Sequence, residues 1–403
     1  MNIYLVATFL SSCILTYFAV PPIVRVSNMK QLFDFPNARK LNKVVVPTLG
    51  GIAIFIGLML SSIIFMREEI NPGSGIRQLL ASVIILFFVG LKDDLIDMPA
   101  RKKLFVQIAV AFLLTTAGNF RISHAFGLFS LDAIQDWASI PLTAIIILFL
   151  INAMNLIDGI DGLAGALTLL FSTFMGIWFS LYGNYNYAVF CLALSGSLIA
   201  FLRFNLWGGK NKVFMGDTGS LILGVFVAAV SIKFLNLNIT APVQIQVAKA
   251  PLIILALLIV PITDTTRVFA IRIWHKKSPF SPDMNHFHHL LIKLKMSHIQ
   301  TSLFLVSYTV FFMLLALAFS HSRVNITTGF IFMLSLSYTI VGLLYLKTKS
   351  LSSTRHTLEK QFPYGKTIRM APASSLKGMI ASVHESKSKQ VLQVKKNALQ
   401  ANE

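Results

Sequence analysis

Charge is scarce in this sequence and cysteine scarcer still. Only 13% of the 403 residues are Asp, Glu, Lys or Arg, and 16 of them are acidic. The two cysteines, Cys13 and Cys191, both fall in apolar runs, so they read as small core residues and no disulfide framework or thiolate metal centre is expected. No internal repeat is visible, which argues against the paired halves of many transporters. The first apolar run has no positive segment ahead of it and its positive residues follow it. It is therefore expected to be a retained span with its N-terminus outside rather than a cleaved leader.

What is abundant is hydrophobic side chain, 55% of the chain, with a mean hydropathy of +0.71. A soluble protein would need a very large core to hide it, so the chain reads as an all-α polytopic membrane protein. The net charge of +19 would point to nucleic acid in a soluble chain, but here its position matters more than its sum, and no nucleic-acid partner is expected. Apolar segments of spanning length run at 3–24, 49–66, 79–92, 104–118, 140–157, 162–182, 186–204, 218–235, 250–271, 301–320 and 325–346, about eleven transmembrane helices. Residues 1–346 thus form one integral-membrane domain. The remainder, 347–403, carries a net +8 and is expected to be a partly disordered or interfacial tail drawn to anionic lipid.

Lys and Arg divide unevenly between alternate loops. Eighteen lie at the odd-numbered loops and six at the even-numbered ones, which puts the odd loops and the tail in the cytoplasm. Eight acids, Asp93, Asp94, Asp97, Asp158, Asp161, Asp217, Asp264 and Asp283, fall at the same odd loops. A solvated surface would spread acid over both faces; gathering it on one predicts a cytoplasmic site for a metal, a cation or a metal-phosphate complex.

Residues 151–165, I-N-A-M-N-L-I-D-G-I-D-G-L-A-G, break a long apolar run with two amides, two carboxylates and three glycines. A carboxylate at the edge of hydrocarbon costs about 2.5 to 3.5 kcal/mol, so Asp158 and Asp161 need cationic partners or a functional task. Asn155, Asp158 and Asp161 follow at intervals of three, and Gly159, Gly162 and Gly165 permit a tight bend, one helix ending and another beginning. The third span ends in a D-D-x-x-D run, with Asp93 and Asp97 expected on one helix face and Asp94 beside them. Such crowding raises a pKa unless a cation intervenes, and Lys102 and Lys103 follow closely. V-F-M-G-D-T-G-S, 213–220, opens another helix, where Asp217 serves as an N-cap or as part of a phosphate site. Asp264 stands one turn before Arg267, open to a salt bridge or a direct role. The segment S-P-F-S-P-D-M-N-H-F-H-H, 278–289, gathers three histidines without cysteines or helical H-x-x-x-H spacing, which favours phosphate contact or proton handling over structural zinc.

Together with P-N-A-R-K at 36–40 and P-T-L-G-G at 47–51, these motifs resemble in order and spacing the polyprenyl-phosphate N-acetylhexosamine-1-phosphate transferases of bacterial inner membranes and their dolichol relatives. The resemblance runs from about Pro36 to Leu291. It implies transfer of a sugar-1-phosphate from a UDP-N-acetylhexosamine to a polyprenyl (undecaprenyl) phosphate with release of UMP, an early step of cell-envelope polysaccharide synthesis. Mg²⁺ is the implied cofactor, Mn²⁺ its substitute. By position, Asn155 and Asp217 are the implied metal ligands and Lys103 the diphosphate-binding lysine. Phe214 is the implied uracil-stacking aromatic, with Asp161 near the nucleoside and Asp158 in the same substrate-binding set. His286, His288 and His289 stand at the phosphate end, and Asp93 or Asp94 activates the acceptor. Direct attack by the lipid phosphate and a covalent aspartyl intermediate both fit.

Three departures narrow the branch. Met284 stands where relatives carry a basic residue, leaving Arg272 or Lys277 to replace that contact, and Asn42 stands where many carry His. His-Phe-His-His replaces an uninterrupted triple His, which favours the simple amino-sugar branch and N-acetylglucosamine over the muramoyl-pentapeptide branch. The competing readings are a cation-coupled transporter and a prenyltransferase using the D-D-x-x-D run; the second leaves the 213–220 and histidine motifs unexplained. A homodimer is compatible with the sequence.

Overall fold

The computed structural model describes residues 3–34, 46–67, 74–128, 131–278 and 286–361. The P-N-A-R-K motif, Asn42, Asp283, Met284 and the tail beyond residue 361 lie outside the described residues. The chain divides into a unit spanning Met1–Leu344 and a second spanning Tyr345–Glu403.

The first unit is helical almost throughout. In order come α1 (Ile3–Lys30), the short pair β1 (Phe33–Asp34) and β2 (Val46–Pro47), α2 (Gly50–Phe65), α3 (Ile76–Leu95) and α4 (Ala100–Phe112), which loosens into a π turn at Leu113–Ala117. An antiparallel hairpin, β3 (His124–Leu128) and β4 (Leu131–Ala133), leads to α5 (Asp136–Ile157), α6 (Leu163–Tyr182), α7 (Tyr185–Trp207) and α8 (Gly216–Ile239). Then follow α9 (Ala250–Leu257), α10 (Ile259–Trp274), α11 (Phe287–Lys293), α12 (His298–Ser320) and α13 (Ile326–Gln361).

Among the described residues seven helices, α1, α5, α6, α7, α8, α12 and α13, are long and apolar enough to cross a membrane, or up to eight spans if α9 and α10, bent by 70°, are counted as one. Each of the eleven apolar segments is helical, but the count of eleven spans does not follow. Helix α2 has only 16 residues. Helices α3 and α4 carry most of their charges at the ends that face each other, Lys92, Asp93 and Asp94 on one and Arg101, Lys102 and Lys103 on the other, with Arg77 at the far end of α3.

Helices α7 and α8 are apolar on all sides, and accordingly both are buried almost along their whole length. Helix α8 is packed by α2, α3, α5 and α6, and α7 by α1, α2 and α6. The close approach of α2 to α8 depends on Gly51, where an added Cβ would lie 2.7 Å from the Gly219 Cα. The peptide link from β2 into α2 pairs with the segment entering α8. Phe214 N–H donates to the Pro47 carbonyl at 2.8 Å, and the N–H groups of Gly50 and Gly51 donate to the Phe214 and Met215 carbonyls at 2.9 and 2.8 Å. The P-T-L-G-G motif is thus the backbone clamp that holds the F-M-G-D motif in place.

Helix α13 continues past residue 346 to Gln361. From Phe287 the histidine segment forms the short helix α11.

Candidate active site

Four helix ends meet at one end of the bundle: the C-termini of α3 and α5 and the N-termini of α4 and α8. At their centre Lys103 of α4 donates to Asp93 of α3 at 2.9 Å and to Asp217 of α8 at 2.8 Å. The other Asp217 oxygen accepts from the Asn155 amide of α5, which also donates to the Ser220 hydroxyl at 2.7 Å. Residues separated by 62 to 114 positions therefore share one carboxylate. Lys103 is the cation that relieves the crowding of acids, while Lys102 is exposed.

The two aspartates of the D-D pair divide their work. Asp94 accepts from the backbone N–H groups of Asp217 and Thr218, at 2.7 and 2.9 Å, and from the Thr218 hydroxyl. It is an N-cap supplied from another helix, so these N–H groups at the start of α8 are taken by Asp94 and not offered to a phosphate. Gly216 adopts a positive φ of 71°, and a side chain there would run into the Asp94 carboxylate and the Thr48 carbonyl. Asp93 instead faces Lys103 and accepts from Met98 N–H at 2.7 Å. That bond belongs to a chain reversal: α3 ends at Leu95 with Ile96 extended. The expected shared helix face of Asp93 and Asp97 is therefore absent, since Asp97 lies beyond the helix end and is exposed.

The loop 158–162 joins this acid cluster to two others. Asp158 makes no hydrogen bond or ion pair with the described residues. Burial and the nearby carboxylates of Asp217, Asp94 and Asp161 raise its pKa well above the ordinary carboxylate value. Asp161, buried, has the opposite environment. Desolvation works against its charge, but His298 at 3.3 Å and Lys212 at 2.7 Å outweigh it and hold the pKa below the usual value. The Lys212 ammonium also stands 5.7 Å from the centre of the Phe214 ring, so Phe214 and Asp161 border the same side of the site. Ser302 of α12 donates to the Asp161 carbonyl at 2.8 Å.

The third cluster is the histidine segment. His288 Nε2 lies against Gly159, where an added Cβ would come 2.5 Å from it. The His286 and His288 rings are parallel with centroids 5.6 Å apart, and His289 packs 4.3 Å from His288. Burial, with His289 beside it, pushes the His288 pKa down to about 3, so this imidazole is neutral. Asp264 accepts from His286 Nδ1 at 2.9 Å, and its Arg267 contact is the longer one at 3.7 Å.

Asn205, Lys212 and His298 carried no assignment in the sequence reading. Asn205, buried in α7, accepts from Gly162 N–H at 2.6 Å and donates to the Val213 carbonyl at 2.9 Å, tying the loop before α6 to the segment before α8. Only polarity inside an apolar run could have marked it.

A polytopic helical membrane protein with acids, amides, a lysine and imidazoles drawn to one end of the bundle is the class that fold and site define. Residues 76–235 match glycosyl transferase family 4. The chain is 30% identical over 304 residues to the Yersinia pestis undecaprenyl-phosphate alpha-N-acetylglucosaminyl 1-phosphate transferase, covering 73% of this chain and 77% of that protein. It is 28% identical over 344 residues to a Bacillus subtilis (strain 168) protein named "Probable undecaprenyl-phosphate N-acetylglucosaminyl 1-phosphate transferase", covering 84% and 92%. It is 29% identical over 312 residues to the decaprenyl-phosphate N-acetylglucosaminephosphotransferase of Mycobacterium leprae, covering 72% and 77%. The chain belongs to this family of polyprenyl-phosphate N-acetylhexosamine-1-phosphate transferases.

Proposed function

We propose that the protein transfers N-acetylglucosamine-1-phosphate from UDP-N-acetylglucosamine to a polyprenyl phosphate, undecaprenyl phosphate in the bacterial case, and releases UMP. The observation that carries this is the joining of separated motifs: Lys103 bonded at once to Asp93 and Asp217, with Asn155 on the same carboxylate. The relatives' names support the donor sugar and the lipid acceptor. The transporter reading has no support in them, and Asp93, Asp94 and Asp217 sit at helix ends rather than midway along spans.

Mg²⁺ fits the residues present. The donor set is oxygen only, from Asp217, Asn155 and Asp93, with the uncompensated Asp158 nearby. Among the described residues no three His, Cys, Asp or Glu side chains are gathered to hold a metal unaided, which suits an ion that takes one or two protein ligands and completes its shell with phosphate oxygens and water. Asp217 and the Asn155 amide oxygen would hold it, and it would neutralise the diphosphate; Mn²⁺ would serve on the same donors.

Phosphoryl transfer needs positioning and charge neutralisation more than covalent help. An oxygen of the acceptor phosphate attacks the sugar-bearing phosphorus, the bridging P–O bond breaks, and UMP leaves with the bond pair. Asp94, with both oxygens committed to the α8 cap, is no free nucleophile, and this favours direct attack over an aspartyl intermediate. Lys103 and the histidines of 286–289 face the diphosphate, while Phe214, Lys212 and Asp161 border the nucleoside end. We place the site and the C-terminal tail in the cytoplasm and the N-terminus outside the bacterial inner membrane, on the Lys and Arg bias of the loops. The test is radiolabelled UMP exchange by purified protein across a panel of UDP-sugars with undecaprenyl phosphate. The expected result is exchange with UDP-N-acetylglucosamine that requires the lipid and Mg²⁺. A preference for another UDP-sugar overturns the sugar assignment, and no exchange with any of them overturns the function.

A further inference from the structure

The cytoplasmic acids include one that makes no direct approach to the Asp93, Lys103 and Asp217 cluster. Asp264 lies on α10 and is 1% exposed, fully enclosed for a carboxylate. Its two oxygens are used separately. One accepts from His286 Nδ1 at 2.9 Å, and the other from the Phe287 backbone N–H at 2.7 Å. Phe287 is the first residue of α11, and His286, its extended N-cap residue, supplies no side-chain cap of its own. Asp264 therefore does for α11 what Asp94 does for α8. A carboxylate on one helix caps the motif helix that begins 23 or more residues further along the chain.

The bond to His286 adds something that the Asp94 cap lacks. A carboxylate oxygen accepts only, so the shared proton resides on Nδ1 of the imidazole. On the far side of the ring, His286 Nε2 stands 3.5 Å from an Arg272 guanidinium nitrogen, a group that donates only. Both neighbours select the same tautomer, proton on Nδ1 and lone pair on Nε2. The ring so fixed stacks parallel to His288, which in turn rests against Gly159 of the 158–162 loop.

We infer that Asp264 is a positioning residue of the transferase. It sets the tautomer and plane of His286 and anchors the first turn of α11, and through the stacked rings it holds His288 against the loop that carries Asp158 and Asp161. It touches no reacting atom itself. This inference rests on the transferase reading for its kinetic consequence, but not for its structural one.

The experiment pairs an NMR readout with kinetics on the full-length protein in lipid nanodiscs. With ¹⁵N-labelled histidine, and His286 assigned by its loss in His286→Gln, the wild type is expected to show His286 protonated on Nδ1 without any substrate present. In Asp264→Asn the single tautomer is expected to be lost. Loss of a carboxylate that orients an imidazole typically lowers activity about 10- to 100-fold. Here kcat and kcat/KM are expected to fall together, with partial recovery in Asp264→Glu. Adding Asp264→Asn to His286→Gln is expected to cost nothing further, because the two act as one unit. An Nε2-protonated His286 in the wild type overturns the proposal, even if Asp264→Asn does not fold. So does a double variant whose losses multiply, or an Asp264→Asn protein that loses thermal stability with kcat unchanged. Absence of transfer by the wild type while the Nδ1 tautomer is seen removes the transferase reading and leaves the assignment of Asp264 to His286 standing.

Discussion

Asp217 is the side chain on which the site turns, because α4 and α5 both reach it through hydrogen bonds and α8 carries it. Asp217→Asn keeps the shape but removes a charge that Lys103 needs and that the proposed metal ion would need, and transfer is expected to drop by about 100-fold or more. The check is the exchange assay beside a membrane-insertion control, and normal turnover would remove Asp217 from the reaction. Asp158 offers a test of the opposite sign. Its raised pKa means that folding takes up a proton there as pH rises past the ordinary carboxylate value, so its charge lowers stability at neutral pH. Asp158→Asn is expected to raise the melting temperature in chelator and to shrink the stabilisation given by Mg²⁺. A lower melting temperature in chelator would contradict that. Phe214→Ala should weaken UDP-sugar binding by about 10-fold, the scale of one base stacked on a ring, as titration calorimetry would show. His288 carries a pH signature. Its pKa is near 3 folded and about 6.5 unfolded, so the unfolded chain binds more protons between those values, and stability is lost as pH falls from 6.5 towards 3. His288→Gln is expected to flatten that acid slope in melting curves.

The helices themselves are held by devices that cross between elements. Asp94→Ala removes the cap of α8, and a loss of about 0.5 to 2 kcal/mol is expected from the cap alone. Gly51→Ala drives a methyl into the α8 backbone, and overpacking of that kind costs about 1 to 3 kcal/mol. Both are readable as lowered melting temperatures, and an unchanged Gly51→Ala would mean that α2 and α8 do not approach as described. At this scale the sequence was partly legible. The end of α5 at Ile157 and the start of α6 at Leu163 follow from the amides, acids and glycines of 151–165. Local period says nothing of a cap supplied from 123 residues away, so Asp94 read like its neighbour Asp93. For the same reason Asp264 looked like a partner for Arg267, three residues on, when its shorter bonds go to His286 and Phe287. Helix α11 was hidden by prolines that precede it.

For the molecule as a whole, hydropathy revealed a helical membrane protein because no other structure suits so apolar a chain. Its count of about eleven spans is not confirmed, because helices such as α2 are packed against α7 and α8 yet too short to meet the criterion of length. The gathering of the site was legible as a bias, basic and acidic residues on alternate loops, and through the resemblance of its motifs, but the pairings within it had to be seen. The central claim is that those loops build one pocket for a nucleotide-sugar diphosphate. The most direct measurement is a structure of the purified protein with UDP-N-acetylglucosamine and Mg²⁺. The account predicts the metal on Asp217 and Asn155, uracil on Phe214, and the diphosphate between Lys103 and the histidines of 286–289; nucleotide density away from these residues would contradict it.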